Sequence, residues 1–67
     1  MKKTFAERVR ELRERRGWEQ KFLAEKIEVS PGYICLLESG VRDPSFATQA
    51  ALAKAFGMKL SKFLEGV

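Results

Sequence analysis

The sequence predicts an all-α fold, a single compact domain of five short helices spanning residues 1–67. Apolar residues recur at every third or fourth position through most of the chain, which is the period of a helix packed on one face. Serine or threonine precedes several of these stretches and glycine follows them, as at the starts and ends of helices. No stretch is a strand candidate. So short a chain buries a modest fraction of its surface and depends on well-packed helices or a partner.

The first helix is expected from Thr4 to Arg16. Thr4 can cap its start, with Glu7 three residues later completing a capping box, and Gly17 follows its last turn. Its apolar stripe comprises Phe5, Val9 and Leu12.

The second helix is expected from Gln20 to Ile27. Its start is less regular, because Glu19 holds the cap position and a carboxylate there helps mainly through the helix dipole. Trp18 and Leu23 are spaced as a hydrophobic staple, so Trp18 is expected in the core rather than in a ligand site. The residues that this helix buries should be Leu23, Ala24 and Ile27.

The third helix is expected to follow the cap Ser30, with Pro31 at its first position, and to end at Gly40. Its buried residues should be Ile34 and Leu37. Between Ser30 and Ser39 there is no Arg, Lys, Asn or Gln, the side chains that most often read bases.

Two further helices complete the predicted fold. After a turn at residues 42–45, Ser45 can cap a fourth helix from Phe46 to Phe56, which Gly57 ends. Its inner stripe is predicted to be Phe46, Ala50, Ala53 and Phe56. A last short helix that closes the core is predicted from Met58, Leu60, Phe63 and Leu64.

The formal net charge of +4 comes entirely from the first sixteen residues. They carry three glutamates against seven cations, which are Lys2, Lys3, Arg8, Arg10, Arg13, Arg15 and Arg16. The other 51 residues carry six charges of each sign. A basic end on a neutral body suits a polyanion such as DNA, but helices rich in Glu and Arg also simply solvate well, so charge leaves both interpretations open.

Several function classes lack the residues they need. With Cys35 as its one cysteine, the chain cannot form an internal disulfide, and since it has no histidine it lacks a metal-ligand cluster. With no paired carboxylates in an apolar setting and no glycine-rich phosphate loop, we expect no enzyme, cofactor or small-molecule ligand. A lone thiol without a secretory leader favours the reducing cytoplasm. No apolar run approaches the ~20 residues that span a bilayer, so no membrane partner is expected.

Residues 20–39 meet the steric requirements of two short helices that cross at a steep angle. Ala24 supplies a small residue where the helices touch, and Val29 supplies an apolar residue to fill the corner. The stretch that contains this unit is GWEQKFLAEKIEVSPGYICLLESGVRDPS. It resembles the helix-turn-helix of the phage-repressor (Cro/repressor, XRE-like) family. The resemblance continues through ALAKAFGMKLSKFL, so that it covers nearly the whole chain and implies a lambda-repressor-like DNA-binding domain.

Individual matches are spread over the domain and comprise Arg13, Gln20, LAEKI, VS, YI and Glu38 followed by Gly40 and Pro44. The resemblance implies a dimer that lays helix 3 in the major groove of double-stranded DNA while helix 2 crosses the backbone, with half-sites about 34 Å apart. The implied DNA-binding residues are Gln20, Ser30, Pro31, Gly32, Tyr33, Leu36 and Arg42. We expect the dimer interface at Pro44, Phe46, Met58, Leu60 and Leu64.

The resemblance also implies a structural ion pair between Arg13 and Glu38, which would tie two helices together and keep Glu38 from repelling phosphates. One departure from the family is Glu28, which occupies the turn position usually given to glycine. A left-handed conformation there costs roughly 1–2 kcal/mol for a residue with a Cβ, so the turn either accepts this cost or bends in another way.

The groove-facing side of helix 3 departs further from the family pattern. Pro31 and Gly32 replace side chains that often read bases, and Leu36 offers only apolar surface. Leu36 and the Tyr33 ring can pack on thymine methyl groups, while the Tyr33 and Ser30 hydroxyls can bond phosphates. We therefore expect few base contacts, an affinity that depends on phosphates, and specificity drawn largely from DNA shape.

The expected function is that of a cytoplasmic, sequence-specific transcriptional regulator that consists only of its DNA-binding domain. Without an effector domain it would act by operator occupancy, blocking a promoter or touching RNA polymerase. The alternative is a helix-turn-helix module that binds protein with little DNA binding, as an antitoxin or adaptor does. Phe22 favours this alternative, because it is expected to expose an aromatic ring on helix 2. Cys35 is a weaker indication.

Overall fold

Five helices succeed one another along residues 4–65, the part of the chain that the computed structural model describes. They are α1 (Phe5–Arg15), α2 (Gln20–Lys26), α3 (Pro31–Ser39), α4 (Phe46–Ala55) and α5 (Leu60–Phe63). These residues contain no strand, and the predicted all-α class is confirmed. The observed helices lie within one or two residues of the expected bounds, since the predicted end residues serve as caps.

The helix starts are fixed by local hydrogen bonds. The Thr4 hydroxyl accepts a hydrogen bond from the Glu7 N–H at 3.1 Å, and the Glu7 carboxylate accepts one from the Thr4 N–H at 3.1 Å. This is the predicted capping box. Ser30 and Ser45 cap α3 and α4 by accepting from the N–H three residues further on. Glu19 makes no such bond at the start of α2, as its irregular cap position led us to expect.

Among residues 4–65, ten apolar side chains form one core to which every helix contributes. They are Val9, Leu12, Leu23, Ala24, Ile34, Leu37, Leu52, Ala53, Phe56 and Phe63. Leu23 and Ala24 of α2 are buried as predicted, and so are Ile34 and Leu37 of α3. Ile27, which was also predicted to be buried, is only half-buried at the edge of the core, as is Phe5. Trp18 also lies at this edge, with its ring stacked on Phe56 at a centroid distance of 5.5 Å.

The predicted inner stripe of α4 is partly wrong. Phe46 is 73% exposed and Ala50 is exposed, whereas Leu52, which the prediction omitted, is fully buried. Ala53 and Phe56 are buried as expected. The sequence FATQAALAKA carries apolar residues on almost every side of the helix, so its period alone does not select the face that packs inward.

Two arginines, one in α1 and one at its C-cap, bind the ends of later helices. Arg8 donates from Nε to the Phe63 carbonyl at 2.9 Å, and Arg16 donates from Nη2 to the Phe56 carbonyl at 2.6 Å. The last carbonyls of a helix have no partner within the helix and carry partial negative charge, so guanidinium groups stabilise them. Arg10 and Arg15 pair with glutamates of α1 itself. Within the described residues, the basic segment therefore serves the fold; Lys2 and Lys3 lie outside them.

Candidate nucleic-acid interface

The turn between α2 and α3 brings the two helices into contact with each other. Ala24 is fully buried, which allows the close approach that a helix crossing needs. The Val29 N–H donates to the Ala24 carbonyl at 2.9 Å, and the Val29 side chain packs half-buried against the core. Residues 20–39 thus have the geometry of a helix-turn-helix.

Glu28 adopts a left-handed backbone conformation in this turn, with φ of 60°. Among residues 4–65 it is the one non-glycine residue with positive φ. Its N–H donates to the Glu25 carbonyl at 3.3 Å and its side chain is exposed. The turn therefore keeps its geometry at a cost of about 1–2 kcal/mol relative to an unstrained residue.

An ion pair joins α1 to the end of α3. Arg13 donates from Nε to Glu38 Oε2 at 2.7 Å and from Nη2 to Oε1 at 3.0 Å, a two-pronged arrangement. The side chains are 13% and 5% exposed. Arg13 Nη1 also donates to the Trp18 carbonyl at 2.6 Å. The hydrogen bond to Glu38 raises the pKa of Arg13 above its ordinary value although burial lowers it, so this residue stays charged.

Gln20, at the first position of α2, is held by the same carboxylate. Its Nε2 donates to Glu38 Oε1 at 3.1 Å, and the residue is half-buried. Glu38 thus receives hydrogen bonds from α1 and from α2 while belonging to α3. A contact from Gln20 to a phosphate or base would have to use its second amide hydrogen or its amide oxygen.

The start of α3 is open to solvent. Ser30, Pro31 and Gly32 are all exposed, and a Cβ added at Gly32 would meet no atom within 4 Å. Leu36, one turn further on, is 38% exposed. This surface, defined by Ser30, Pro31, Gly32 and Leu36, is called the groove face below. An α-helix that is exposed in this way fits a groove of about 12 Å width.

Tyr33 is less available than its neighbours on α3. It is half-buried, its hydroxyl oxygen lies 3.4 Å from Thr48 Oγ1, and the Arg42 guanidinium lies 5.9 Å from its ring centroid. The ring therefore bridges α3 to α4 under an exposed arginine. Among the predicted DNA-binding residues, Tyr33 and Gln20 are tied into the protein, whereas Arg42 and the groove face are exposed.

The residues predicted for a dimer interface fall into two groups. Phe46 is 73% exposed, whereas Pro44, Met58, Leu60 and Leu64 are half-buried, the last three against the core. Val41, which the sequence prediction did not include, is 76% exposed. The sequence does indicate its exposure, because Val41 is an apolar residue between Gly40 and Arg42 that belongs to no apolar stripe of a helix.

Other surface features are limited. Phe22 is 45% exposed, as expected, with its ring 5.1 Å from that of Trp18. Cys35 is exposed on α3. Along residues 4–65 no three metal-binding side chains lie together. Nor does any helix of this range have the length and apolarity needed to cross a membrane.

In this all-α domain, α2 and α3 form a two-helix unit and the start of α3 is exposed to solvent. This is the architecture of the helix-turn-helix class. Residues 9–63 match the model of a helix-turn-helix family. The chain belongs to this family, of the phage-repressor (Cro/repressor, XRE-like) type.

Three relatives illustrate the likeness. The HTH-type transcriptional regulator DdrOP3 of Deinococcus deserti is 41% identical over 61 residues, which cover 91% of this chain and 47% of DdrOP3. This chain thus spans about half the length of that relative. The crystal structure of the P22 c2 repressor with synthetic operator 9T matches with a TM-score of 0.85 and 26% identity, over 97% of this chain and 98% of the repressor chain. The restriction-modification controller protein C.AhdI of Aeromonas hydrophila matches with a TM-score of 0.83 and 30% identity, over 88% and 89%.

Proposed function

We propose that this protein is a DNA-binding transcriptional regulator that inserts α3 into the major groove while α2 crosses the backbone. The observation that carries the proposal is the open groove face at the start of α3, on a helix-turn-helix whose other side contributes Leu23, Ala24, Ile34 and Leu37 to the core. The fold supports it too, because the P22 c2 repressor, which matches over almost its whole chain, was solved with a synthetic operator. DdrOP3 is named a transcriptional regulator.

Phosphate contacts supply most of the affinity in this proposal. Arg42 is exposed beside Tyr33 and provides a cation next to the groove face. Gln20 and Ser30 lie at the starts of α2 and α3, where backbone N–H groups attract phosphate oxygens. Because few polar side chains reach base edges, specificity relies largely on DNA shape.

The salt dependence of binding tests this account. We expect the logarithm of the affinity for a duplex to fall linearly with the logarithm of salt concentration, by about 0.9 per phosphate contacted. The affinity is measured by fluorescence anisotropy with a labelled random duplex, at salt concentrations from about 50 to about 200 mM. Arg42→Ala should lower the slope by about 1. Lys54→Ala, a matched loss of an exposed cation on α4, should leave it unchanged. Salt-insensitive binding contradicts the proposal.

The proposal extends to a homodimer that acts by occupying an operator, with half-sites about 34 Å apart. The interface is assigned to Pro44, Phe46, Met58, Leu60 and Leu64. Phe46 supports it, because a phenylalanine 73% exposed loses unfavourable contact with water when a second copy covers it. Sedimentation with and without DNA tests the assembly, and Phe46→Ser should shift it toward monomer. A monomer at all concentrations, free and bound, contradicts this part. Contact with RNA polymerase would be a further consequence of occupancy.

A protein-binding module without DNA affinity is the second candidate. The exposed Phe22 ring on α2, packed beside Trp18, favours it. The anisotropy titration separates the two functions, because a module of this kind shows no salt-dependent binding to random duplex.

A further inference from the structure

We infer that the groove face recognises the C5 methyl group of pyrimidines through Leu36, and therefore that it accepts 5-methylcytosine in place of thymine. This inference rests on the proposed insertion of α3 into the major groove. It names the chemical feature of the DNA that the protein reads.

The hydroxyl and carboxylate side chains of α3 are already engaged within the protein. Glu38 is bound by Arg13 and Gln20, and the Ser39 hydroxyl donates to the Leu36 carbonyl at 3.0 Å. The Tyr33 hydroxyl lies at Thr48. Base recognition by hydrogen bonds requires side-chain donors or acceptors that reach base edges. On α3 these side chains are occupied elsewhere.

Leu36 is the large side chain that remains on the groove face. It is 38% exposed, while Gly32, one turn earlier, has open space where a Cβ would stand. A backbone without a side chain at Gly32 allows the helix to approach the base edges closely. The Leu36 carbonyl accepts from Ser39 Oγ and from the Arg42 N–H at 3.3 Å, so the backbone that carries the side chain is fixed.

An apolar side chain distinguishes pyrimidines by their methyl group alone. In the major groove, thymine presents a C5 methyl group that cytosine lacks. A methyl at C5 of cytosine occupies the same ring position, whereas uracil keeps the hydrogen-bonding groups of thymine without the methyl. Leu36 should therefore group thymine with 5-methylcytosine and separate both from uracil and cytosine. Methylation of cytosine in the binding site would then strengthen binding.

The test uses a duplex recovered by the purified protein from a random library. Thymines of the recovered site are replaced one at a time by deoxyuridine, by cytosine and by 5-methylcytosine, each with its matching purine, and affinities are measured at constant salt. At a position that Leu36 contacts, we expect deoxyuridine to weaken binding about fourfold, because one methyl group is lost from an apolar contact. The 5-methylcytosine duplex should bind within about twofold of the thymine duplex, and the cytosine duplex about fourfold more weakly, by the same contact.

Leu36→Ala assigns the effect to one side chain. It should reduce the thymine-to-uracil ratio to below about twofold, because the shorter side chain leaves the methyl group in water. Phe22→Ala removes another exposed apolar side chain, from α2, and should retain the full ratio. Circular dichroism of both variants checks that they fold.

Two results overturn the inference while leaving the proposed function intact. In the first, the protein binds the recovered duplex in a salt-dependent way but has equal affinity for thymine and uracil at every position. In the second, it binds the 5-methylcytosine duplex no better than the cytosine duplex. An unchanged ratio in folded Leu36→Ala also overturns it. Failure to recover any duplex, with no salt-dependent binding, rejects the proposed function itself.

Discussion

Replacement of Arg13 by methionine removes the cation from a pair that is largely shielded from water. The Glu38 side chain is only 5% exposed and would lose its cationic partner together with two hydrogen bonds, of 2.7 and 3.0 Å. The Trp18 carbonyl would lose a third, of 2.6 Å. Methionine has similar length and no charge, so the fold loses the pair rather than the packing of the chain.

Removal of one partner from a buried ion pair costs about 3–5 kcal/mol, since the remaining charge is left without compensation. A domain of this size has a free energy of unfolding of about 3–10 kcal/mol. Arg13→Met should therefore lower the stability by about half or unfold the protein. Urea denaturation followed by circular dichroism measures the change in the midpoint and in the free energy of unfolding.

Two matched variants separate the pair from other effects. Arg10→Met removes a cation from the exposed pair with Glu14, whose atoms are 3.4 Å apart, and should cost less than about 1 kcal/mol. The double variant Arg13→Met with Glu38→Leu removes both charges and should recover at least about half of the loss, because no buried charge remains. An unchanged midpoint for Arg13→Met, or a double variant no more stable than the single one, would refute the reasoning.

Three other substitutions give independent checks. Glu28→Gly should raise the free energy of unfolding by about 1 kcal/mol, and Tm by about 4–8 °C, because glycine adopts φ of 60° without strain; a lower Tm would contradict this. Gly32→Ala should stabilise α3 by about 0.5–1 kcal/mol yet weaken duplex binding in anisotropy, since the added methyl stands on the groove face. Arg16→Gln should cost about 1 kcal/mol in urea denaturation, because the Phe56 carbonyl loses its donor and the Trp18 ring loses one of its two cations; equal stability would exclude that role.

The sequence by itself determined the features that depend on neighbours a few residues away. Thr4, Ser30 and Ser45 cap helices because each side chain needs only the N–H three residues further on. The small residue Ala24 and the turn that follows it define the helix-turn-helix for the same reason. At Glu28 the sequence left two possibilities, a left-handed residue or a turn bent in another way, and the structure has the left-handed one, with φ of 60°.

Only the tertiary structure decided which side of α4 faces the core and what the charges of α1 contact. Leu52 is buried and Phe46 exposed because the other helices fix the orientation of α4, whose own composition is nearly uniform around its axis. Arg8 reaches a carbonyl 55 residues further along the chain, and Gln20 reaches Glu38 on another helix. Such contacts join residues far apart in sequence. A local pattern therefore specifies the helices, whereas their packing selects the side chains that remain on the surface for binding.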